Sequence, residues 1–321
     1  MKILITGISG FIGKNVARNL LKKNVQITAI VRPNTNFKRI AEFENKVKFI
    51  EIDLTNIATL RNFLSENAFV QIIHIGAIRG GRKFTKQQYF DANVNATEQL
   101  IINAKKHNSK FIFCSSVGVF GAIPKELPAN NFTERQEDNY YHFTKIYAEK
   151  IIQKHVLNGL SAAIVRPAIT YGEGDFGFPF TLTKLVDKNL MFLPNHEVKI
   201  HLTNIELIVQ AFNKLSEIDF KSGTAYNVAD LHPVKLTEIV DFINQELHQK
   251  KYSRHKIINV KFFDFGEKIA RFLKNELWVS RFELISKSWY YNTQNSYTNL
   301  GLKHIETIPN FKIVTNWYKG L

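Results

Sequence analysis

The feature that most constrains the fold of this 321-residue chain is a glycine-rich turn close to its N-terminus. Residues 2–6 (KILIT) predict a short apolar strand, and Gly7, Gly10 and Gly13 follow before a segment of helical period. In a strand–turn–helix unit the first glycine permits the tight turn, the second lets backbone amides approach a pyrophosphate, and the third allows close packing. The helix N-terminus, which contains Phe11 and Ile12, adds partial positive charge. The spacing predicts a dinucleotide-binding turn.

Short apolar runs alternate with helical segments through the first half of the chain. Strands separated by helices indicate βαβ crossovers, and strands without polar alternation indicate a sheet that is covered on both faces. The sequence therefore predicts an α/β fold with a Rossmann-type, doubly wound parallel sheet. The predicted strands are residues 2–6, 26–31, 48–52, 71–75, 111–115 and 162–166, and the predicted helices are residues 11–23, 57–66, 86–107 and 139–158.

The pattern changes after residue 166, where glycines and Pro179 mark a loop that leaves the sheet. A helix at residues 205–216 and a strand at 225–228 are predicted to return to it. We therefore expect a dinucleotide-binding domain at residues 1–168 with 199–229 added. Residues 169–198 and 230–321 would form a smaller, mixed α/β substrate domain, whose many aromatic residues are expected to form its core or to stack on a ligand.

Composition limits the cellular compartment and the partners that we expect for the chain. No apolar run is long enough to cross a bilayer, and a single cysteine, Cys114, fits a reducing compartment. We expect a cytoplasmic protein with no membrane or nucleic-acid partner and no metal. The net charge of +15 includes a basic cluster at residues 250–256 and suits small anionic ligands such as dinucleotides and nucleotide sugars.

Several motifs follow the glycine turn in a fixed order. Together they resemble the extended short-chain dehydrogenase/reductase family, which includes sugar-nucleotide epimerases and dehydratases. The resemblance covers about residues 1–250, and its stretches are TGISGFIG at 6–13, DL at 53–54, HIGA at 74–77, NVNAT at 93–97, SSVGVFG at 115–121, RP at 166–167, YG at 171–172, HLTN at 201–204 and YNV at 226–228.

The resemblance implies cofactor contacts beyond the glycine turn. It assigns them to Asp53 and Leu54 near the adenine, and to Gly76, Ala77, Asn95, Pro167, Tyr141 and Lys145 elsewhere. The second strand ends at Arg32 instead of the acidic residue that accepts a bond from the NAD ribose. Arg32 favours NADP, because a guanidinium pairs with a 2′-phosphate, although it can also stack on the adenine of either dinucleotide.

The predicted catalytic pair is Tyr141 and Lys145. Positions i and i+4 share one face of a helix, and a nearby cation favours the phenolate and thereby lowers the pKa of a tyrosine. Tyr140 lacks such a partner, since Thr144 lies four residues on. The family pattern places the catalytic hydroxyl at Ser116, where it would orient the substrate oxygen.

Two departures from the family bear on the reaction. Dehydratases carry Asp-Glu after their catalytic hydroxyl, whereas Val117 and Gly118 stand here, so 4,6-dehydration is not expected. Ile169 replaces an Asn that often helps to hold sugar-nucleotide phosphates, and Arg79 and Arg82 are candidates to bind phosphate instead.

The resemblance therefore implies hydride transfer at a secondary alcohol or ketone, as a 4-epimerase or a ketoreductase. The expected substrate is a nucleoside-diphosphate sugar that reacts at C4. The alternatives are a steroid- or flavonoid-like carbonyl reductase, and a dinucleotide-sensing protein without turnover. A homodimer is possible by analogy with such enzymes.

Overall fold

The computed structural model describes residues 1–79 and 84–321, and its centre is a parallel sheet. The strands in chain order are β1 (Lys2–Thr6), β2 (Gln26–Val31), β3 (Val47–Glu51), β4 (Gln71–His74), β5 (Lys110–Cys114), β6 (Ala162–Pro167), β7 (Ile169–Tyr171), β8 (Leu193–Pro194), β9 (Lys199–Ile200), β10 (Leu202–Asn204), β11 (Ala225–Val228), β12 (Val234–Lys235) and β13 (Ile257–Ile258).

Helices cover the sheet and form most of the C-terminal part. In chain order they are α1 (Phe11–Leu20), α2 (Ile57–Ser65), α3 (Lys86–Phe90), α4 (Ala96–Lys106), α5 (Tyr140–Val156), α6 (Phe178–Asp187), α7 (Ile205–Glu217), α8 (Leu236–His248), α9 (Val260–Phe272), α10 (Glu276–Ser286), α11 (Gln294–Leu300), α12 (Thr307–Asn310) and α13 (Lys312–Lys319). None of the helices in the described part of the chain has the length and apolar character needed to cross a membrane.

Seven strands form the main sheet in the order β11-β6-β5-β4-β1-β2-β3. Every pair in it is parallel, and β1 lies between β2 and β4. The strand order reverses at β1, where ligands bind in such sheets. The predicted Rossmann-type fold is confirmed, and its switch point lies beside the glycine turn.

The predicted helix at residues 86–107 is not one regular helix. It is divided into α3 and α4 by a π-helical turn at Asp91–Asn95. Such a turn has one extra residue per hydrogen bond and is often found at functional sites. It changes the directions in which Asn93 and Asn95 point.

Chain segments beyond β6 enter two different packing regions. The strand β11 pairs with β6. The helix α7 packs on α1, and both helices contribute side chains to the apolar core on one face of the sheet. A second apolar core joins α6, α8 and α13 around Trp289 and Phe311. The domain boundaries at residues 168, 199 and 229 stay predictions, because Val117 and Ala129 also belong to the second core, and Leu300 and Ile305 to the first.

Candidate active site

The glycine turn packs tightly against its surroundings. Gly7 has a φ of +78°, and an added Cβ there would lie 2.6 Å from the Gly76 nitrogen. An added Cβ on Gly13 would overlap the carbonyl oxygen of Gly7. Gly10, in contrast, is exposed, caps α1 and would meet only the Gly7 oxygen, at 3.3 Å. Two glycines thus close the turn, and the third leaves space over the N-terminal amides of α1, where a pyrophosphate fits.

This difference predicts separable effects of two substitutions. We expect Gly13→Ala to destabilise the fold by about 1–3 kcal/mol or more, because its methyl group meets backbone. Gly10→Ala should leave the free energy of unfolding nearly unchanged and weaken dinucleotide binding by about tenfold or more, because its methyl group takes the space of the phosphates. Urea denaturation and NADH fluorescence titration measure the two effects. Equal losses of stability in both variants would contradict the assignment.

The loop after β4 forms the wall opposite the glycine turn. The Gly76 amide donates to the Thr6 hydroxyl at 2.9 Å, and a side chain on Gly76 would meet Leu54 at 3.2 Å. Leu54, Gly76 and Gly7 therefore pack close together, and the cofactor contact of the following residue, Ala77, stays a prediction. The Asp53 carboxylate accepts bonds from the backbone and hydroxyl of Thr55, so one of its oxygens holds the turn before α2.

A buried histidine fixes the end of β4. His74 lies between the hydroxyls of Thr6, at 2.6 Å, and Thr97, at 3.0 Å. Burial lowers the pKa of His74 to about 3, so its imidazole is neutral at physiological pH. His74 therefore joins the glycine turn to α4 without adding charge.

Asn93 holds the loop after β4, and it is not the Asn for which a cofactor contact was predicted. The Asn93 side chain accepts from the Ile78 amide at 2.7 Å and donates to the Ile78 carbonyl and the Thr144 hydroxyl. Asn95 instead donates to Asp91 within the π-helical turn. The cofactor contact of Asn95 stays a prediction, whereas Asn93 positions the loop after β4 against α5. The NVNAT motif contained this residue, but its helical period could not show which Asn faces the loop.

Tyr141 and Lys145 lie on the inner face of α5. The Lys145 ammonium donates to the Cys114 carbonyl at 2.7 Å and lies 5.9 Å from the centre of the Tyr141 ring. Tyr140 points to an outer aromatic cluster, where its ring stacks on Phe143 at 5.2 Å. The structure thus places Tyr141, and not Tyr140, beside the lysine at the carboxyl end of β5.

The pKa of Tyr141 depends on its burial. Burial raises it to about 12, against a smaller opposite effect of Arg79. The lowering that was predicted from Lys145 together with an oxidised nicotinamide ring stays a prediction. Among the protein residues burial dominates, and the Lys145 ammonium donates to the Cys114 carbonyl. Burial also lowers the pKa of Lys145 to about 8. The phenol therefore requires additional positive charge to act as a base near neutral pH.

Two adjacent serines have different partners. Ser116 caps the 3₁₀ helix Val117–Phe120, and its hydroxyl oxygen accepts from the Gly118 amide at 3.0 Å. The Ser115 hydroxyl instead donates to the buried Glu149 carboxylate at 2.6 Å. Ser115 thus supports the structure, which leaves Ser116 as the serine available to a substrate.

The structure also shows a histidine that sequence reasoning missed. The His142 imidazole occupies the space in which a side chain on Gly118 would lie, and its ring centre is 5.7 Å from that of Tyr141. Its Nδ1 is hydrogen-bonded to Asp138. Burial raises the pKa of Asp138, but bonds from His142 and the Ala122 amide outweigh it and hold the pKa below its ordinary value. An imidazole supported by a carboxylate can exchange protons at Nε2.

Three further predicted residues lie in the described part of the chain. Pro167 ends β6 and is buried, and Arg32 is exposed just after β2. Burial raises the pKa of both Tyr141 and Asp175, and the charge of the exposed Arg79 opposes this with a smaller effect. Arg82 lies outside the described residues. Within residues 1–79 and 84–321, no three His, Cys, Asp or Glu side chains lie together as a metal site.

A family model of the NAD dependent epimerase/dehydratase family matches residues 3–228. The chain belongs to this family. Among its curated relatives, a UDP-glucose 4-epimerase of Caenorhabditis elegans is 33% identical over 170 residues, which cover 47% of this chain and 48% of the relative. A UDP-glucose 4-epimerase of Klebsiella pneumoniae is 31% identical over 133 residues, which cover 39% of this chain and 96% of that one.

Solved structures extend the similarity of fold to the whole chain. A UDP-glucuronic acid 4-epimerase from Bacillus cereus in complex with NAD covers 100% of this chain and 99% of its own, with a TM-score of 0.76 and 19% identity. A dTDP-glucose 4,6-dehydratase from Bacillus anthracis gives a TM-score of 0.74 at 18% identity, over 100% of this chain and 97% of its own. By sequence, the chain spans about half the length of the first curated relatives that it matches. The family and fold are therefore shared, and the substrate needs its own argument.

Proposed function

We propose that this member of the family is a sugar-nucleotide 4-epimerase. The observation that carries the proposal is the position of Tyr141, Lys145 and Ser116 at the carboxyl end of β5, two strands from the glycine turn. This arrangement can remove and return one proton at a hydroxyl that lies beside a dinucleotide. The relatives named as UDP-glucose 4-epimerases support the substrate class.

The cradle formed by Gly7, Gly10 and Gly76 fits a dinucleotide, and the family name supports NAD. Bound NAD would supply the two-electron acceptor and, when oxidised, a positive ring charge near the phenol. Ser116 would hold the substrate oxygen by a hydrogen bond. Tyr141 would take the hydroxyl proton and return it after the sugar presents its opposite face, while Lys145 stabilises the phenolate.

The experiment is product analysis with purified protein and NAD. UDP-glucose and UDP-glucuronic acid are incubated separately, and nuclear magnetic resonance identifies the configuration at C4. We expect the C4 epimer to accumulate to an equilibrium mixture without net consumption of NAD. Stoichiometric oxidation of NADPH with a ketone substrate would instead establish a reductase.

A second candidate function is dehydration, which His142 favours. Elimination of water needs an acid or base besides Tyr141, and Val117 and Gly118 provide none. The imidazole over Gly118 is a group of the required type. A product that is lighter by one water, formed by the native protein and lost in His142→Ala, would establish this reaction. An epimerase should keep its product in that variant.

The choice of dinucleotide is tested at Arg32. We propose that NAD is the cofactor, so NADH should bind at least as tightly as NADPH to the native protein. Arg32→Ala should weaken NADPH binding and change NADH binding little, because only a 2′-phosphate pairs with this guanidinium. Fluorescence titration measures both dissociation constants. Native protein that prefers NADPH by more than about tenfold, with the preference lost in Arg32→Ala, would assign NADP instead.

A further inference from the structure

The C-terminal helical hairpin exposes an unusual number of large apolar side chains. Seven of them lie between residues 262 and 278, with exposures from 43% at Ile269 to 86% at Phe272. We call this group the α9–α10 apolar surface. Its members are Phe262, Phe265, Ile269, Phe272, Leu273, Leu277 and Trp278.

The helix α9 has two distinct apolar faces. Its inner face is buried through Phe263 and Ala270, and a side chain on Gly266 would collide with Phe282 of α10. Because residues in a helix are about 100° apart, the exposed residues from Phe262 to Leu273 fall within an arc of about 100° on another side. The packing of α9 on α10 therefore uses only the inner face of α9 and leaves its outward apolar face exposed.

Cations lie along one edge of this face. Residues 250–287 contain ten Lys or Arg and four Asp or Glu. Two of those acids, Glu267 and Glu283, are paired with Arg271 and Lys287. Lys261 and Lys268 are exposed and lie next to the apolar arc. The surface thus combines an apolar stripe with a cationic edge.

We propose that the α9–α10 apolar surface binds an anionic lipid bilayer. An amphipathic helix with bulky apolar residues and adjacent lysines lies in the interfacial region of such membranes. A second copy of this chain fits less well, because a two-fold contact would bring the two cationic edges together. The proposal concerns attachment to a membrane surface, replaces the expectation of no membrane partner, and is independent of the reaction catalysed.

Vesicle co-sedimentation tests the proposal with the full chain. Native protein should pellet with vesicles of phosphatidylcholine and phosphatidylglycerol, and far less with phosphatidylcholine alone. Phe265→Glu/Phe272→Glu should lower the partition coefficient at least about tenfold, and Lys261→Gln/Lys268→Gln should lower it as well. The matched control is Phe132→Glu/Leu157→Glu, which changes side chains that are 97% and 88% exposed elsewhere. This control should bind like the native protein.

Tryptophan fluorescence locates the contact. Trp278 is 48% exposed in this surface, whereas Trp289 is fully buried and Trp317 is partly buried. Anionic vesicles should shift the emission to shorter wavelength, and Trp278→Phe should remove the shift without preventing sedimentation.

Three results would overturn the proposal. They are absence of binding to anionic vesicles, binding that does not depend on phosphatidylglycerol, and binding that Phe265→Glu/Phe272→Glu retains. The native protein could instead fail to bind vesicles and form a dimer in solution that Phe265→Glu/Phe272→Glu dissociates. That result would assign the surface to a second copy of the chain.

Discussion

Tyr141→Phe is expected to lower the turnover number by about 10²- to 10⁴-fold, which is the usual contribution of a positioned acid or base. The phenol oxygen is the only atom lost, and no hydrogen bond of the fold described above depends on it. NADH should therefore bind within about twofold of the native affinity. Steady-state assay of the epimer and fluorescence titration of NADH measure these two quantities.

The neighbouring tyrosine provides a matched control. Tyr140 lies one residue earlier on α5 and packs in the outer aromatic cluster. Tyr140→Phe should retain nearly full activity, since its ring packs on Tyr89 and Phe143, whereas Lys145 lies beside Tyr141. Loss of activity in Tyr140→Phe and its retention in Tyr141→Phe would reverse the assignment of the two side chains.

The second large effect concerns stability and comes from the buried pair of Glu149 and Arg166. The Arg166 guanidinium donates to both carboxylate oxygens, at 2.8 and 2.6 Å, and the side chains are only 8% and 4% exposed. Glu149→Ala leaves a buried cation without its partner, which costs about 3–5 kcal/mol. The free energy of unfolding in urea should fall by this amount.

An exposed pair serves as the control for this substitution. Lys125 and Glu134 form an ion pair with side chains 54% and 65% exposed, so Glu134→Ala should change stability by less than about 0.5 kcal/mol. The double variant Glu149→Leu/Arg166→Met should be more stable than Glu149→Ala, because it removes both charges together. If Glu149→Ala lowered the free energy of unfolding by no more than Glu134→Ala does, the buried pair would not be needed for stability.

The same pair predicts a response to acid. Burial raises the pKa of Glu149, but Arg166 and Ser115 outweigh it, and the net pKa is lowered. A carboxyl group with a depressed pKa in the folded state stabilises the protein above its unfolded pKa of about 4.3. This contribution is lost as the pH falls through the folded-state pKa, so the stability difference between native protein and Glu149→Ala should narrow at low pH.

The sequence alone was sufficient to predict the bounds of elements that are set by neighbouring residues. The predicted strands at residues 2–6, 26–31 and 225–228 match the observed bounds, because each is a short apolar run between turn-forming residues. Lys145 was placed beside Tyr141 by helical spacing alone. The π-helical turn was not foreseen, since the helical pattern continues through it, and the structural role of Asn93 in holding Ile78 was therefore not foreseen either.

Features formed by distant segments were not predictable from one sequence. The imidazole of His142 faces Gly118 across 24 positions, and neither residue alone indicates the contact. The raised pKa of Tyr141 depends on how deeply the fold buries it. The C-terminal aromatics were expected to form a core or a stacking site, and Trp289 and Tyr291 are buried in the core, but Trp278 faces outward. Composition does not distinguish an inner face from an outer one.

The position of β11 in the sheet affects how the chain folds while it is being synthesised. This strand, Ala225–Val228, covers β6, whose own residues emerge from the ribosome about sixty positions earlier. Until it arrives, the nascent chain carries an unpaired strand edge rich in valine, isoleucine and alanine, which can pair with a neighbouring polypeptide. A pause that leaves β6 outside the ribosome while β11 is still inside should therefore increase aggregation, and a pause after β11 has emerged should not.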